Sequence, residues 1–362
     1  MSAFPILPIL CLILFDVLIL CSHKNCRRYA GSRGSRLKMT KDQENAAIPL
    51  AVEMRAVDMR KELALRIVAH APGVGEHATA VPGLLLFRRT APTACYRATY
   101  EPGLNVFAQG RKQVNLGGRI YLCDESSFLL SSIDVPVESQ IVEASEEVPL
   151  LSLLFRLEMP VIREILSSEE LPEIELPLQG TGIAVGETSA PLLDACTRLI
   201  ELLETPKDIP FLGRLIQREI IYRLLCTPQG KRLRAIATTG DLSNRTAKAI
   251  AWLRGNYTKP LHIDELAGIA RMGVSTLHHQ FRALTAMSPL QYQKLLRLQQ
   301  ARRRMLMDGL DATSAAFEVG YESISQFNRE YSRLFGQPPM RDVRALRSAN
   351  SASANSAALD TA

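Results

Sequence analysis

Between Met54 and His70 the apolar positions Met54, Val57, Leu63, Leu65, Ile67 and Val68 recur among charges at helical spacing, and Ala71-Pro72-Gly73 ends the run. The period then changes. Short apolar or alternating runs occur at Leu84–Phe87, Leu104–Ala108, Gln113–Leu116, Arg119–Cys123, Phe128–Ser131, Val137–Val142 and Leu150–Leu157, separated by Pro-Gly, Gln-Gly and Gly-Gly pairs. These predict β-strands, with Asn115-Leu116-Gly117-Gly118-Arg119 as a hairpin turn. Strands this short and evenly spaced predict a β-barrel or sandwich whose interior has room for a small ligand. After Pro160 the pattern is helical over Val161–Ser167, Pro191–Leu203 and Ile209–Cys226, with Pro191 in a first turn, where its missing N–H costs nothing. Leu199, Leu202 and Leu203 with Leu212, Leu215, Ile216 and Ile220 predict an antiparallel helix pair that packs either into the core or across a homodimer interface. Thr227-Pro228-Gln229-Gly230 breaks the helices, and residues 231–241 are polar enough to predict an interdomain linker.

From Leu242 onward the text is helical and contains two similar units. In the first, Ile263–Ala270 predicts a short helix with Asp264 and Glu265 in its first turn, where the helix dipole favours them. Arg271-Met272-Gly273-Val274 predicts a turn and Ser275–Leu284 a second helix. Leu266, Ala270, Val274, Leu277 and Phe281 are expected inside, leaving Ser275, His278, His279 and Arg282 outside. In the second unit, Ala312–Glu318 predicts a helix, Gly320 a turn and Ser323–Phe335 another helix. Phe317, Val319, Ile324, Phe327, Tyr331 and Leu334 are expected inside; Ser325, Gln326, Asn328, Arg329 and Arg333 are expected outside. The uninterrupted run from Pro289 to Met305 predicts one helix joining the units. Polar side chains on the outer face of a second helix suit base edges in the major groove.

Charge sharpens this picture. Residues 242–347 carry 16 basic against 8 acidic residues, a net +8, whereas residues 39–241 carry 21 against 27, a net −6. A positive surplus confined to one segment attracts a polyanion and releases its counterions. The seven cysteines are scattered without metal-finger spacing, which favours a reducing compartment. Cys95 reads either as a reactive thiol in a loop or as a small half-buried residue. His77 is the only histidine between residues 71 and 261, so no multi-histidine metal centre can be assembled there, and its place is expected in a surface loop. No cofactor, metal or catalytic residue is expected: no nucleophile elbow, phosphate loop or Cys/His pair is visible.

The segments Thr285–Tyr292, Leu298–Arg303, Ala316–Tyr331 and Phe335–Pro339 together resemble the AraC family of bacterial transcription regulators, and Glu101–Lys112 resembles the N-terminal cupin-like domain of one subgroup of that family. The resemblance covers most of residues 50–345. It implies an α+β chain with an N-terminal cupin-like β-barrel and flanking helices, followed by a C-terminal all-α double helix-turn-helix domain. It implies promoter DNA and RNA polymerase as partners, an unknown small-molecule effector, a possible homodimer, and activation more often than repression. Carried over by position, Ser275, His278 and His279 are base-reading candidates in the first unit, as are Ser325, Gln326, Asn328 and Arg329 in the second. Gly273 stands where a capping serine is common and His279 where arginine is common, so the first unit is expected to read its half-site more weakly.

The expected layout is a leader over 1–38, an effector and dimerisation domain over 50–230, the linker over 231–241, the DNA-binding domain over 242–345, and a disordered tail over 346–362. The apolar run from Ala3 to Leu20, followed by His23, Lys24, Arg27 and Arg28, reads as a start-site artefact preceding Met39, as a membrane span, or as an export signal. A span would carry Asp16 at a cost of about 2.5–3.5 kcal/mol near its centre, and a signal lacks a leading positive charge. A cytoplasmic regulator is thus the principal expectation. An enzyme and a membrane-tethered sensor, each with a DNA-targeting module, are the alternatives.

Overall fold

A computed structural model describes residues 41–168, 170–174 and 180–348, and those from Ala51 onward belong to one compact unit. The leader expected over 1–38 and the tail beyond 348 lie outside the described residues. No described helix is long and apolar enough to cross a membrane.

Helix α1, Lys41–His70, presents Ala56, Leu63 and Ile67 to the core, while Val57, Leu65 and Val68 stay exposed. Ten strands follow in two antiparallel sheets. One has the order β1 (Gly75–Ala78), β2 (Leu84–Arg89), β9 (Leu150–Arg156), β4 (Gly103–Gln109), β7 (Ser127–Ser131) and β10 (Ile183–Glu187). The other has the order β3 (Tyr96–Tyr100), β8 (Val135–Glu143), β5 (Arg111–Leu116) and β6 (Arg119–Cys123). The expected hairpin joins β5 to β6 in the register Leu116↔Arg119, with Gly117 and Gly118 both at positive φ, as a two-residue primed turn requires. The cupin-like domain is therefore built as two facing sheets that do not close into a cylinder. His77, expected in a loop, lies in β1 and meets the Gly73 carbonyl at 2.8 Å.

Helices α2 (Met159–Ser168), α3 (Ala190–Glu201) and α4 (Arg214–Leu225) flank the sheets, with 3-10 and π turns over residues 202–213. Leu199, Leu202 and Ile220 are buried in the same core as the first sheet, whereas Leu212 and Leu215 are exposed. The polar stretch read as a linker opens with helix α5, Gly230–Ala237, which buries Leu233, Ile236 and Ala237 and leaves its charged residues outside. The i, i+3, i+4 spacing of those three residues outweighs the polarity around them.

The C-terminal half runs α6 (Leu242–Gly255), α7 (Ile263–Ala270), α8 (Val274–Thr285), α9 (Pro289–Met307), α10 (Ala312–Glu318) and α11 (Ile324–Phe335). Residues 339–348 are also helical, so order continues past the expected boundary at 345. Side-chain caps set most of the starts: Asp241 accepts from Ser243 N at 2.6 Å, Ser288 and Gln291 form a capping box with Pro289 at the first position, and Asp311 accepts from Thr313 N and Ser314 N.

The two halves are not separate beads. One hydrophobic core contains Phe107, Val114, Leu129, Ile133, Val135 and Ile183 from the sheets together with Ile250, Leu253, Leu266, Leu277, Phe281, Tyr292 and Leu296 from the first helix-turn-helix unit. The second unit has its own core of Leu298, Ala301, Met305, Ala316, Val319, Phe327, Tyr331 and Val343. Polar contacts reinforce the shared core. Arg254 pairs with Asp134, and its other terminal nitrogen reaches Glu101 at 3.2 Å. Tyr292 donates its hydroxyl to the Asp134 carbonyl at 3.0 Å, and Thr99 donates to Gln299 Oε1 at 2.8 Å.

Candidate nucleic-acid interface

Helix α8 separates its faces cleanly. Leu277, Phe281 and Leu284 are buried, and Ser275, His278, His279 and Arg282, spaced i, i+3, i+4, i+7, form one exposed stripe. Gly273 is the N-cap residue and supplies no side-chain hydrogen bond, so the first backbone donors of α8 are open to another acceptor. Val274, expected inside, is 37% exposed, because the first residue of α8 sits on the turn and projects beyond the core behind Leu277.

In α11 the buried residues are Phe327 and Tyr331, and Ser325, Gln326, Asn328, Arg329 and Arg333 are exposed. Ser323 caps the helix by accepting from Gln326 N, and Gly336 closes it in the left-handed region. Phe317, expected inside, is 55% exposed; its place in the core is taken by Ala315, Ala316 and Tyr321. Tyr321 stacks edge-on against Phe327 with ring centroids 5.3 Å apart. Gln326 also donates to Glu330 Oε1 at 3.2 Å, a side-chain bond within its own helix.

The cations divide into two groups. Lys294 is bound to Glu330, Arg302 bidentately to Asp342, and Arg304 to Glu318. Arg282, Arg329 and Arg333 form no ion pair among the described residues and face solvent on the two outer helices. Both outer faces thus carry positive charge available to a polyanion beside their polar residues.

Helix α9 holds the units together. Gln293 donates to the carbonyls of Tyr257 and Lys259 at 3.1 and 2.7 Å, and Arg297 donates to those of Tyr257, Thr258 and Lys259. The same loop lies against the second unit, where a Cβ on Gly320 would stand 2.1 Å from the Thr258 carbonyl oxygen. Below Arg297, Glu330 accepts from Lys294 and Tyr321; burial alone would raise its carboxyl, but those bonds and the one from Gln326 prevail and hold it below the usual glutamate range.

Away from this surface, the facing sheets enclose a cavity of about 510 Å³. Leu85, Phe87, Leu129, Ile141, Leu150 and Leu154 supply an apolar lining of the kind small-molecule sites use. Thr99 and Glu101 also line it, and these are the residues bonded to Gln299 and Arg254. Sequence reasoning expected a ligand-sized interior but did not single out its polar residues. The signal was present: Lys112 alternates in phase with Val114 and Leu116, so it shares their inward face. Cys95 is exposed. Among the described residues no cluster of His, Cys, Asp and Glu could hold a metal ion.

Comparison with known proteins agrees with this division. The family profile described as the AraC-type transcriptional regulator N-terminus matches residues 80–232, and a helix-turn-helix domain profile matches residues 266–345. The transcriptional activator RhaS of Yersinia pestis is 33% identical over 104 residues, which are 29% of this chain and 38% of RhaS. The chain thus spans 38% of the length of the curated relatives it matches. Among solved structures, ToxT of Vibrio cholerae bound to an unsaturated fatty acid aligns over 72% of this chain and 93% of its own, at 12% identity and a TM-score of 0.47. The DNA-binding domain of AdpA, in complex with a target DNA, aligns over 29% of this chain and 94% of its own, at 26% identity and a TM-score of 0.28. With one profile on the sheet-rich half and the other on the two-unit helical half, in that order, the chain carries an N-terminal domain of the AraC-type transcriptional regulators followed by a helix-turn-helix domain.

Proposed function

We propose that the protein is a cytoplasmic, sequence-specific DNA-binding regulator that acts at promoters with RNA polymerase, predominantly as an activator, and whose sheet domain receives a small organic effector. The proposed base-reading and phosphate-contacting residues are Ser275, His278, His279 and Arg282 on α8, and Ser325, Gln326, Asn328, Arg329 and Arg333 on α11. The observation that carries the reading is the pair of outer helices, each with a buried apolar face and an exposed polar, cationic one. Phosphate contacts from the arginines would set register, and the shorter polar side chains would meet base edges. Bonds from Thr99 and Glu101 to α9 and α6 support the effector half of the proposal, because a ligand that moves the cavity wall pulls on the DNA-binding half directly. The proposed layout assigns residues 50–230 to the effector and dimerisation domain and 242–345 to the DNA-binding domain.

Selection of bound sequences from a random duplex pool by the purified full chain, followed by titration of the selected site, tests the DNA reading. A two-part enriched motif bound far more tightly than random duplex is the expected result. Equal affinity for selected and random DNA would overturn it. Sedimentation of the same preparation addresses the homodimer.

A further inference from the structure

Lys112 is out of place in the cavity between the sheets. Its strand partner in register is Cys123, and the same inner face carries Val114 and Leu116, both buried. The Lys112 ammonium lies 5.4 Å from the centre of the Tyr100 ring and beside the phenol of Tyr96, and it forms no ion pair with a carboxylate among the described residues. A cation turned inward onto phenols is costly to keep unless something of opposite charge joins it.

The other charged groups around the cavity do not supply that counter-charge. The lining contains Lys112, Arg89 and Arg156 against Glu76 and Glu101, three cations to two carboxylates. Glu101 is already claimed by Arg156 at 2.8 Å and by Arg254 at 3.2 Å. Burial pushes the Cys123 thiol up to about 12, so it stays neutral beside Lys112. A second polar group is also unmet: the side-chain oxygen of Asn105, which lines the cavity from the opposite sheet, is buried without a hydrogen-bond partner among the described residues.

We propose that this cavity binds a small organic acid, its single carboxylate paired with Lys112 and its apolar body held among Phe87, Leu129, Ile141 and Leu154. The inference deepens the effector half of the proposed function and rests on it only for the regulatory consequence; the binding itself stands on the cavity. A carbonyl compound captured by Lys112 as an imine is the competing chemistry, and it needs an unprotonated amine. Imine capture would leave a borohydride-reducible adduct on Lys112, seen as a mass increase, whereas a paired carboxylate leaves none.

Calorimetric titration of the full chain with matched acid and amide pairs tests the proposal, using benzoate against benzamide and hexanoate against hexanamide. At least one acid should bind at least tenfold more tightly than its amide. Lys112→Met should remove that preference while leaving amide binding and the thermal midpoint of the free protein close to wild type. Leu129→Trp, which fills the cavity, should abolish binding of both members. Equal binding of acid and amide, a preference that survives Lys112→Met, or no binding by either acid would each overturn the proposal. If Lys112→Met unfolds the chain, Lys112→Arg serves in its place: it keeps the charge and should keep the preference, and its loss there would count against charge pairing. DNA affinity measured in parallel separates the two claims, because an acid that binds through Lys112 without altering DNA affinity upholds the site and refutes its regulatory role.

Discussion

Gly182 donates its backbone N–H to the Leu284 carbonyl at 2.8 Å, which fastens the strand entering β10 to the last turn of α8. Helix α8, proposed to insert into DNA, is therefore anchored at its C-terminal end by the sheet domain. At the adjoining Gly117, a Cβ would stand 2.2 Å from the Ala286 side chain, at the residue that closes the same helix.

Gly117→Val should accordingly drive the first unit away from the sheets. The expected cost is roughly 1–3 kcal/mol from overpacking, in addition to the backbone strain of a positive φ. Gly118→Ala separates the two effects, since Gly118 also has positive φ but nothing within 4 Å of the added atom. Urea midpoints of the two variants check this, and equal losses would mean that the collision with Ala286 is relieved freely.

Tyr292→Phe removes the hydroxyl that reaches Asp134 and keeps the ring, which packs edge-on to Phe281 at 5.5 Å. A buried carbonyl loses its donor, so a destabilisation of about 1 kcal/mol is expected in denaturant unfolding. The sheets and the first helix-turn-helix unit should lose stability in the same transition, because the bond lies across their common core.

Arg329→Ala should weaken binding to the selected site by about 1–3 kcal/mol if the guanidinium reads a base. An equal loss on random duplex would assign it to a phosphate. His279→Ala should change affinity little, in keeping with a first unit whose reading helix begins at an uncapped glycine; a large loss would reverse that ranking. Fluorescence anisotropy on labelled duplexes at fixed salt distinguishes these outcomes.

Glu330 gives the second unit an acid limit. Its carboxyl is held below the ordinary range in the folded chain, so its ionised form stabilises the fold above about pH 4.5, and that contribution is lost as pH falls through the lowered folded value. Glu330→Gln should be less stable than wild type at pH 7, and the difference should shrink below pH 4.5. A constant difference across that window would show that Lys294 and Tyr321 hold the side chain without regard to its charge.

The helical half was legible because its buried positions are spaced by the helix period and its turns carry capping residues. The misplaced residues, Val274 and Phe317, lie at the first turn of α8 and near the end of α10, where a short helix no longer keeps a full face against its partner. Seven strands were legible as apolar runs. The three that were not, β1, β3 and β10, all lie at sheet edges, where one flank goes unpaired and the inward pattern is thin, as Gly75–Ala78 shows. The junction between the halves left no local trace. Ile133, Tyr292 and Leu296 are ordinary apolar residues in their own elements, and only the tertiary fold places them in one core. On the proposed DNA-contacting surface, the outward residues followed from helix phase alone, but the bond from Gln326 to Glu330 did not.

Because the first helix-turn-helix unit shares its core with the sheets and the second does not, local opening is expected to divide inside the pair. Helices α7 and α8 should open only together with the sheets, whereas α10 and α11 should exchange their amide hydrogens through an opening that leaves the sheets intact. Transplantation should be correspondingly one-sided: the second unit, from Leu298 of α9 onward, carries its own core with it, whereas the first unit carries the sheet domain.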